Sequence, residues 1–295
     1  MDKVVSGKII EQVATALPKE CREHIIIIGS LAAGYQLFRG DDNLQVQTKD
    51  MDCVLFPQLQ AAEYGKDVAA KLISEGWKQK FDGEFNAPGT SETPDDKLPA
   101  VRLYPPGETD WFIELLTVPG SKNDQEKEWT RIRLKDGDYG LPSFRFLSVA
   151  TFKPVGTMWG VFCARPKMMA LANLLEHPRI GPEMIRNSPY KRSQKDVGRT
   201  IAIALLSSDR LETWIELWLE SLQACFPHEW KMLAARAGSG LREILGKDND
   251  LSLAHDSCIN GLLASRQVNL EQFRIAGERL IKFVIEPLEA RIQKL

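Results

Sequence analysis

At 295 residues, the chain is long enough for one large domain or two of ordinary size. Its 43% apolar and 26% charged content is that of a globular protein, and its net charge of −2 gives no support for a polyanion partner beyond a local basic patch. No apolar run approaches the roughly 20 residues of a membrane span, and the N-terminus lacks a signal-peptide core, so no membrane association and a cytoplasmic location are expected. Five scattered cysteines and four scattered histidines match no disulfide framework and no zinc spacing.

In chain order, Ser6 to Leu17 has helical apolar spacing, with Pro18 past its end. Ile25–Ile28 reads as a buried strand, ending in Gly29-Ser30. A short helix over residues 31–38 and a polar loop follow, then Thr48-Lys49-Asp50-Met51-Asp52 leads into a strand ending at Phe56. Ala61 to Trp77 reads as a helix closed by Gly76, and Asp82 to Leu98 as a surface loop. Ala100–Tyr104 and Trp111–Val118 read as strands joined through Pro105-Pro106-Gly107. Arg131–Leu134 and Phe144–Val149 are predicted to add strands. After about Gly156 the pattern is helical, in segments 164–175, 193–206, 211–225, 229–235 and 270–285. The expectation is an α/β (α+β) fold, with a mixed-sheet domain over 1–155 and an all-helical domain over 156–295.

Asp-x-Asp occurs at Asp50/Asp52, Asp136/Asp138 and Asp248/Asp250, but only the first leads directly into an apolar strand. The other two sit among turn residues. Alternation on a strand puts Asp50 and Asp52 on one face, where two carboxylates repel unless a cation neutralises them. Mg²⁺ suits such a pair, because it binds one or two carboxylates together with substrate phosphates. Glu114 stands amid five apolar residues and completes a candidate triad on a neighbouring strand, while Asp110 lies at that strand's mouth. Three carboxylates can place two metal ions for an in-line displacement. Gly29 permits close backbone approach and Ser30 offers a hydroxyl and an N–H to a phosphate. Read alone, Ser30 is an ordinary helix N-cap, Asp50 and Asp52 a solvated strand end, and Glu114 the wet face of a sheet.

Farther along, Lys191, Arg192, Lys195 and Arg199 form the most basic local cluster, and Ser193 with Asp196 matches a capping box. Trp214 and Trp218, four apart on one helix, read as core or partner interface rather than a ligand platform. Arg131, Arg133 and Lys135 alternate with Ile132 and Leu134, as on a half-exposed strand.

Taken together, Gly29-Ser30, Thr48-Lys49-Asp50-Met51-Asp52, Ile113-Glu114-Leu115-Leu116, Arg165-Pro166 and Lys195-Asp196 resemble the nucleotidyltransferase superfamily of the polymerase-β type. The order resembles most the branch that includes the AbiEii- and MenT-type toxins and related bacterial proteins. The resemblance covers roughly residues 25–206. It implies NTP binding with Mg²⁺ or Mn²⁺ at Asp50 and Asp52, phosphate at Ser30, and a nucleotide site lined by Lys195 and Asp196. The acceptor it implies is RNA such as tRNA, a protein hydroxyl or a small molecule. The chain departs from the pattern in three places: an insertion at 39–44, Glu rather than Asp as third acid, and Asn173 where a Lys usually stands. Lys167 lies nearly two turns earlier. The competing readings are a non-catalytic nucleotide-binding or interaction protein on the same fold, and a metal-dependent nuclease, which leaves Gly29-Ser30 without a role.

Overall fold

The structure is a computed structural model and describes residues 3–38, 41–81, 86–120, 128–185 and 188–294. The chain divides into two compact units: Met1–Ala32 with Thr48–Ala164, and Ala33–Gln47 with Arg165–Leu295. It is mixed α/β, with a mixed sheet in the first unit and helices dominating the second.

The elements begin with β1 (Lys3–Val4), α1 (Ser6–Ala16), β2 (Ile25–Ile27), α2 (Gly29–Phe38), β3 (Val46–Gln47), β4 (Asp50–Leu55) and α3 (Ala61–Ser74). They continue with β5 (Lys78–Gln79), β6 (Arg102–Tyr104), β7 (Phe112–Thr117), β8 (Trp129–Leu134), β9 (Gly137–Pro142) and α4 (Leu147–Ala150). Two short strands, β10 (Val155–Gly156) and β11 (Phe162–Cys163), complete a seven-stranded sheet of order β10-β11-β2-β4-β7-β6-β5. Strands β2, β4 and β7 are adjacent in it, which puts Glu114 on the neighbouring strand expected for it. β4 runs antiparallel to β2 and parallel to β7, and β6 closes on β7 as an antiparallel hairpin partner.

β2 is buried along its whole length, as an unbroken branched run requires. β4 alternates: Met51, Cys53 and Leu55 are buried on one face, while Asp50 and Asp52 are half-buried on the other. Helix α3 covers the apolar face. It approaches so closely that a Cβ on Gly65 would lie 3.1 Å from Leu55 Cδ1 and 2.8 Å from Leu141 Cδ1. A glycine at that helical position admits the contact at the cost of propensity.

The hairpin β8–β9 pairs Leu134 with Gly137, so Asp136 does lie in a turn. Its strand residue Asp138, 2% exposed in its side chain, meets Arg131 at 2.8 Å and Arg133. Arg131 also binds Asp95 Oδ1 at 2.8 Å and donates to the carbonyls of Thr90 and Thr93. The alternating basic strand is therefore a structural clasp holding the 90–95 segment. Arg131→Met is expected to lower the unfolding free energy by about 2–3 kcal/mol, since it strips a buried carboxylate of one cation and several carbonyls of donors. Arg131→Lys recovers little, because an ammonium lacks the fork that spans these acceptors. Urea midpoints test this; a Met variant within about 0.5 kcal/mol of the parent removes the clasp.

Three expectations are corrected. Asp138, read as a turn residue with Asp136, lies in β9 opposite Arg133. Residues 144–149 do not form a strand: they turn into α4, with Phe146, Leu147, Val149 and Ala150 all buried, so tertiary burial overrides strand propensity. Asp248 and Asp250 are not in a turn but in the first turn of a helix, where carboxylates meet the positive end of the dipole.

The second unit holds α5 (Pro166–Ile180), α6 (Arg192–Leu206), α7 (Trp214–Cys225), α8 (Trp230–Arg236), α9 (Ser239–Leu245), α10 (Asp248–Ile259), α11 (Leu270–Leu280) and α12 (Glu286–Gln293). Trp214 and Trp218 are buried in it at 1% and 0% exposure, and the Trp218 indole donates to Lys167 O at 2.8 Å. The pair is core, as read. The 33–47 segment is tied in by Gln45 N to Ser265 Oγ, Ser265 Oγ to Gln45 O and Gln47 N to Gly261 O, each 3.0 Å. Among the described residues no helix is long and apolar enough to cross a membrane.

Candidate functional site

The candidate residues of the first unit gather on one face of three adjacent strands. Register pairs Asp50 with Phe112 and Asp52 with Glu114 across the parallel β4–β7 ladder. Paired residues of a ladder share a face and stand about 4.8 Å apart between strands, so Asp50, Asp52 and Glu114 line one surface. The same ends of β4 and β7 present these acids, and burial becomes complete farther along at Val54 and Leu116.

The turn after β2 arrives at the same place. Ile28 N donates to Asp52 O at 3.0 Å, which fixes the turn against β4. Gly29 adopts φ +78, and a Cβ there would lie 3.2 Å from Asp52 Oδ2. Conformation and space both select glycine here, because a side chain would crowd the Asp52 carboxylate. Ser30 follows in the first turn of α2, half-buried, and its hydroxyl has no hydrogen-bond partner among the described residues. It therefore makes no capping bond of the kind that its sequence position suggests.

Each acid has a distinct setting. Asp50 accepts from Thr48 Oγ1 at 2.8 Å, which orients its carboxylate. Glu114, 14% exposed, is held by Arg102 on β6 at 2.9 Å, its direct cross-strand partner. Opposite charges at such positions attract and fix register. Beyond them, Phe112 packs edge-on against Tyr104 with ring centroids 5.9 Å apart and carries Lys80 Nζ 4.4 Å from its centroid. On the opposite face of β4, burial and then the charge of Asp52 push the Cys53 thiol far up, so it stays protonated and is no nucleophile.

Among the described residues no three His, Cys, Asp or Glu side chains converge as a ready metal cage. The commitment of Glu114 to Arg102 is a physical reason. Asp50 and Asp52, on the strand end beside the Gly29 turn, are carboxylates that fit Mg²⁺, which takes one or two carboxylates and completes its shell with water and phosphate oxygens.

Lys195 and Asp196 belong to the second unit, on the first turns of α6, both half-buried and both without a side-chain partner among the described residues. That helix starts at Arg192, one residue before the expected cap, and Ser193 is buried. The cap is made by Gln194, whose Oε1 accepts from Lys191 N at 2.8 Å. In the same unit Asn173 buries an Nδ2 with no partner, and Lys167 pairs with Asp209 at 2.9 Å. Arg102 is the residue that sequence reasoning passed over. An opposite-charge pair flanking the Pro-Pro-Gly turn was its signal, but the loop length alone does not give the register.

Arg102→Met is expected to cost about 2 kcal/mol, less than the 3–5 typical of a fully buried pair, because both partners keep some contact with water. Mg²⁺ should then restore part of the loss, since the released Glu114 stands beside Asp52. Urea titration with and without Mg²⁺ reads both effects; unchanged stability would show that the pair does not hold Glu114. The chain matches no protein-family model, and no similar sequence is found among curated proteins.

Proposed function

We propose that this chain is a Mg²⁺-dependent nucleotidyltransferase, moving an NMP from an NTP to an acceptor. The observation that carries the reading is the meeting of the Gly29-Ser30 turn with the Asp50/Asp52 strand end, with an unengaged serine hydroxyl at the junction. A phosphate chain needs donors at close range, and the Ser30 hydroxyl and N–H at a helix start supply them. Mg²⁺ bound at Asp50 and Asp52 supplies Lewis-acid neutralisation of phosphate charge. Thr48 fixes the orientation of Asp50, and Gly29 keeps the approach to Asp52 clear. Glu114 balances Arg102 and keeps its guanidinium on the same face. No side-chain nucleophile is required, because positioning and charge neutralisation dominate phosphoryl chemistry. The sequence resemblance points to RNA, a protein hydroxyl or a small molecule as acceptor.

A second reading, a non-catalytic nucleotide-binding protein, is favoured by Glu114 being engaged with Arg102 and by Asn173 at the position of a usual cation. Incubation with each labelled NTP, Mg²⁺ and total RNA or lysate separates the two. Transferred label supports the enzyme. Retained nucleotide without transfer supports the binding protein and overturns the enzyme.

A further inference from the structure

The second unit contains an open pocket of about 540 Å³, distinct in sequence from every residue discussed above as a candidate site. Its apolar wall comes from Leu206 at the end of α6, Leu211, Val268 and Ile275 of α11. Ile275 is 46% exposed although its helix neighbours Phe273 and Leu280 are fully buried. Its polar side comes from two guanidiniums, Arg266 and Arg279, with Gln267 and Gln272, and no carboxylate contributes to it. Both arginines are exposed, and neither side chain has an ion-pair or hydrogen-bond partner among the described residues. Three other arginines of this unit are paired with carboxylates: Arg274 with Asp248 at 2.7 Å, Arg242 with Glu289 at 2.7 Å, and Arg291 with Glu216 at 2.5 Å.

We infer that this pocket binds a small amphiphilic anion, a phosphate or carboxylate carried on an alkyl or aryl body. A guanidinium recognises either head group through paired N–H donors. The wall of Leu206, Leu211, Val268 and Ile275 removes the apolar body from water, which a bare inorganic anion cannot exploit. The volume lies within the range of pockets that enclose small ligands. Ile275 and Arg279 sit one turn apart on α11, so one ligand can reach both the apolar and the charged element. The competing explanation is that the arginines only complement the carbonyl end of α6, whose last turn lines the pocket. In that case an added anion gains nothing.

The inference rests on the second unit alone and does not depend on the nucleotide reading. Calorimetric titration of the full chain with octyl phosphate, 1-octanol and inorganic phosphate tests it. Octyl phosphate should bind at least about tenfold more tightly than either of the others, since each lacks one half of the recognition. Arg266→Gln and Arg279→Gln should each weaken it about tenfold, and Ile275→Asp should weaken it further by putting a carboxylate in the apolar wall. Ser30→Ala should leave it unchanged, which separates this pocket from the phosphate turn. Equal binding of octanol and octyl phosphate, no binding of octyl phosphate, or unchanged binding in the Arg266→Gln/Arg279→Gln double variant would overturn the inference.

Discussion

Asp50→Asn and Asp52→Asn are each expected to cut nucleotide transfer by at least about a thousandfold, equivalent to about 4 kcal/mol of lost transition-state stabilisation. The substitution keeps the shape of the side chain and removes the charge that neutralises a cation. At position 50 an amide oxygen can still accept from Thr48, so the strand end keeps its anchor. Without metal, stability should hold or rise slightly, because two like charges on one face of β4 no longer repel. In the parent, Mg²⁺ with NTP should raise the melting temperature, since a ligand bound only by the folded state adds about 2.7 kcal/mol at a hundred times its dissociation constant. The shift should shrink in both variants. Full transfer and a full melting shift in Asp52→Asn would leave the strand end without a catalytic part and end the nucleotidyltransferase reading.

Trp218→Ala should destabilise the second unit by about 3–5 kcal/mol, the range for deleting a large buried aromatic. The side chain is fully buried, packs on Trp214 with ring centroids 5.9 Å apart, and ties α7 to the first turn of α5 through Lys167 O. The alanine leaves a cavity and takes away that donor. Trp218→Phe isolates the two contributions: it retains most of the buried area and loses chiefly the hydrogen bond, at about 1–2 kcal/mol. Urea denaturation followed by circular dichroism measures both. A cost below about 1 kcal/mol for the alanine would mean that the tryptophan pair does not hold the helices together.

Elements were legible in the sequence where local chemistry admits one outcome. A run of isoleucines favours burial, and Ile25–Ile27 of β2 are buried, while Ile28 falls outside the strand and is half-buried. Alternation places Asp50 and Asp52 on one face whatever surrounds them, and Glu114 joined that face because β7 lies parallel and in register. The partner of Glu114 was not legible: it depends on how the 105–111 connection sets the β6–β7 register, which is a long-range geometric fact. β9 was missed because Gly137, Asp138, Gly140 and Pro142 are poor strand formers, and the strand exists through pairing with β8 and the Arg131–Asp138 contact. The reverse error fell on residues 144–149, where an aromatic and branched segment read as a strand folds as a helical turn. Asp248 and Asp250 were misplaced because the same residues serve turns and helix starts.

The interleaved assignment of the chain to its two units has a consequence for synthesis. Residues 33–47 emerge from the ribosome early, yet the backbone bond of Gln45 is made with Ser265, 220 positions later. At 5–20 residues per second the interval is roughly 10–45 s. Throughout it Phe38 and Val46, buried in the finished protein, lack the downstream residues of their own unit. The second unit therefore cannot complete its fold cotranslationally in a simple N-to-C order, because this early segment waits for partners as late as Gly261 and Ser265.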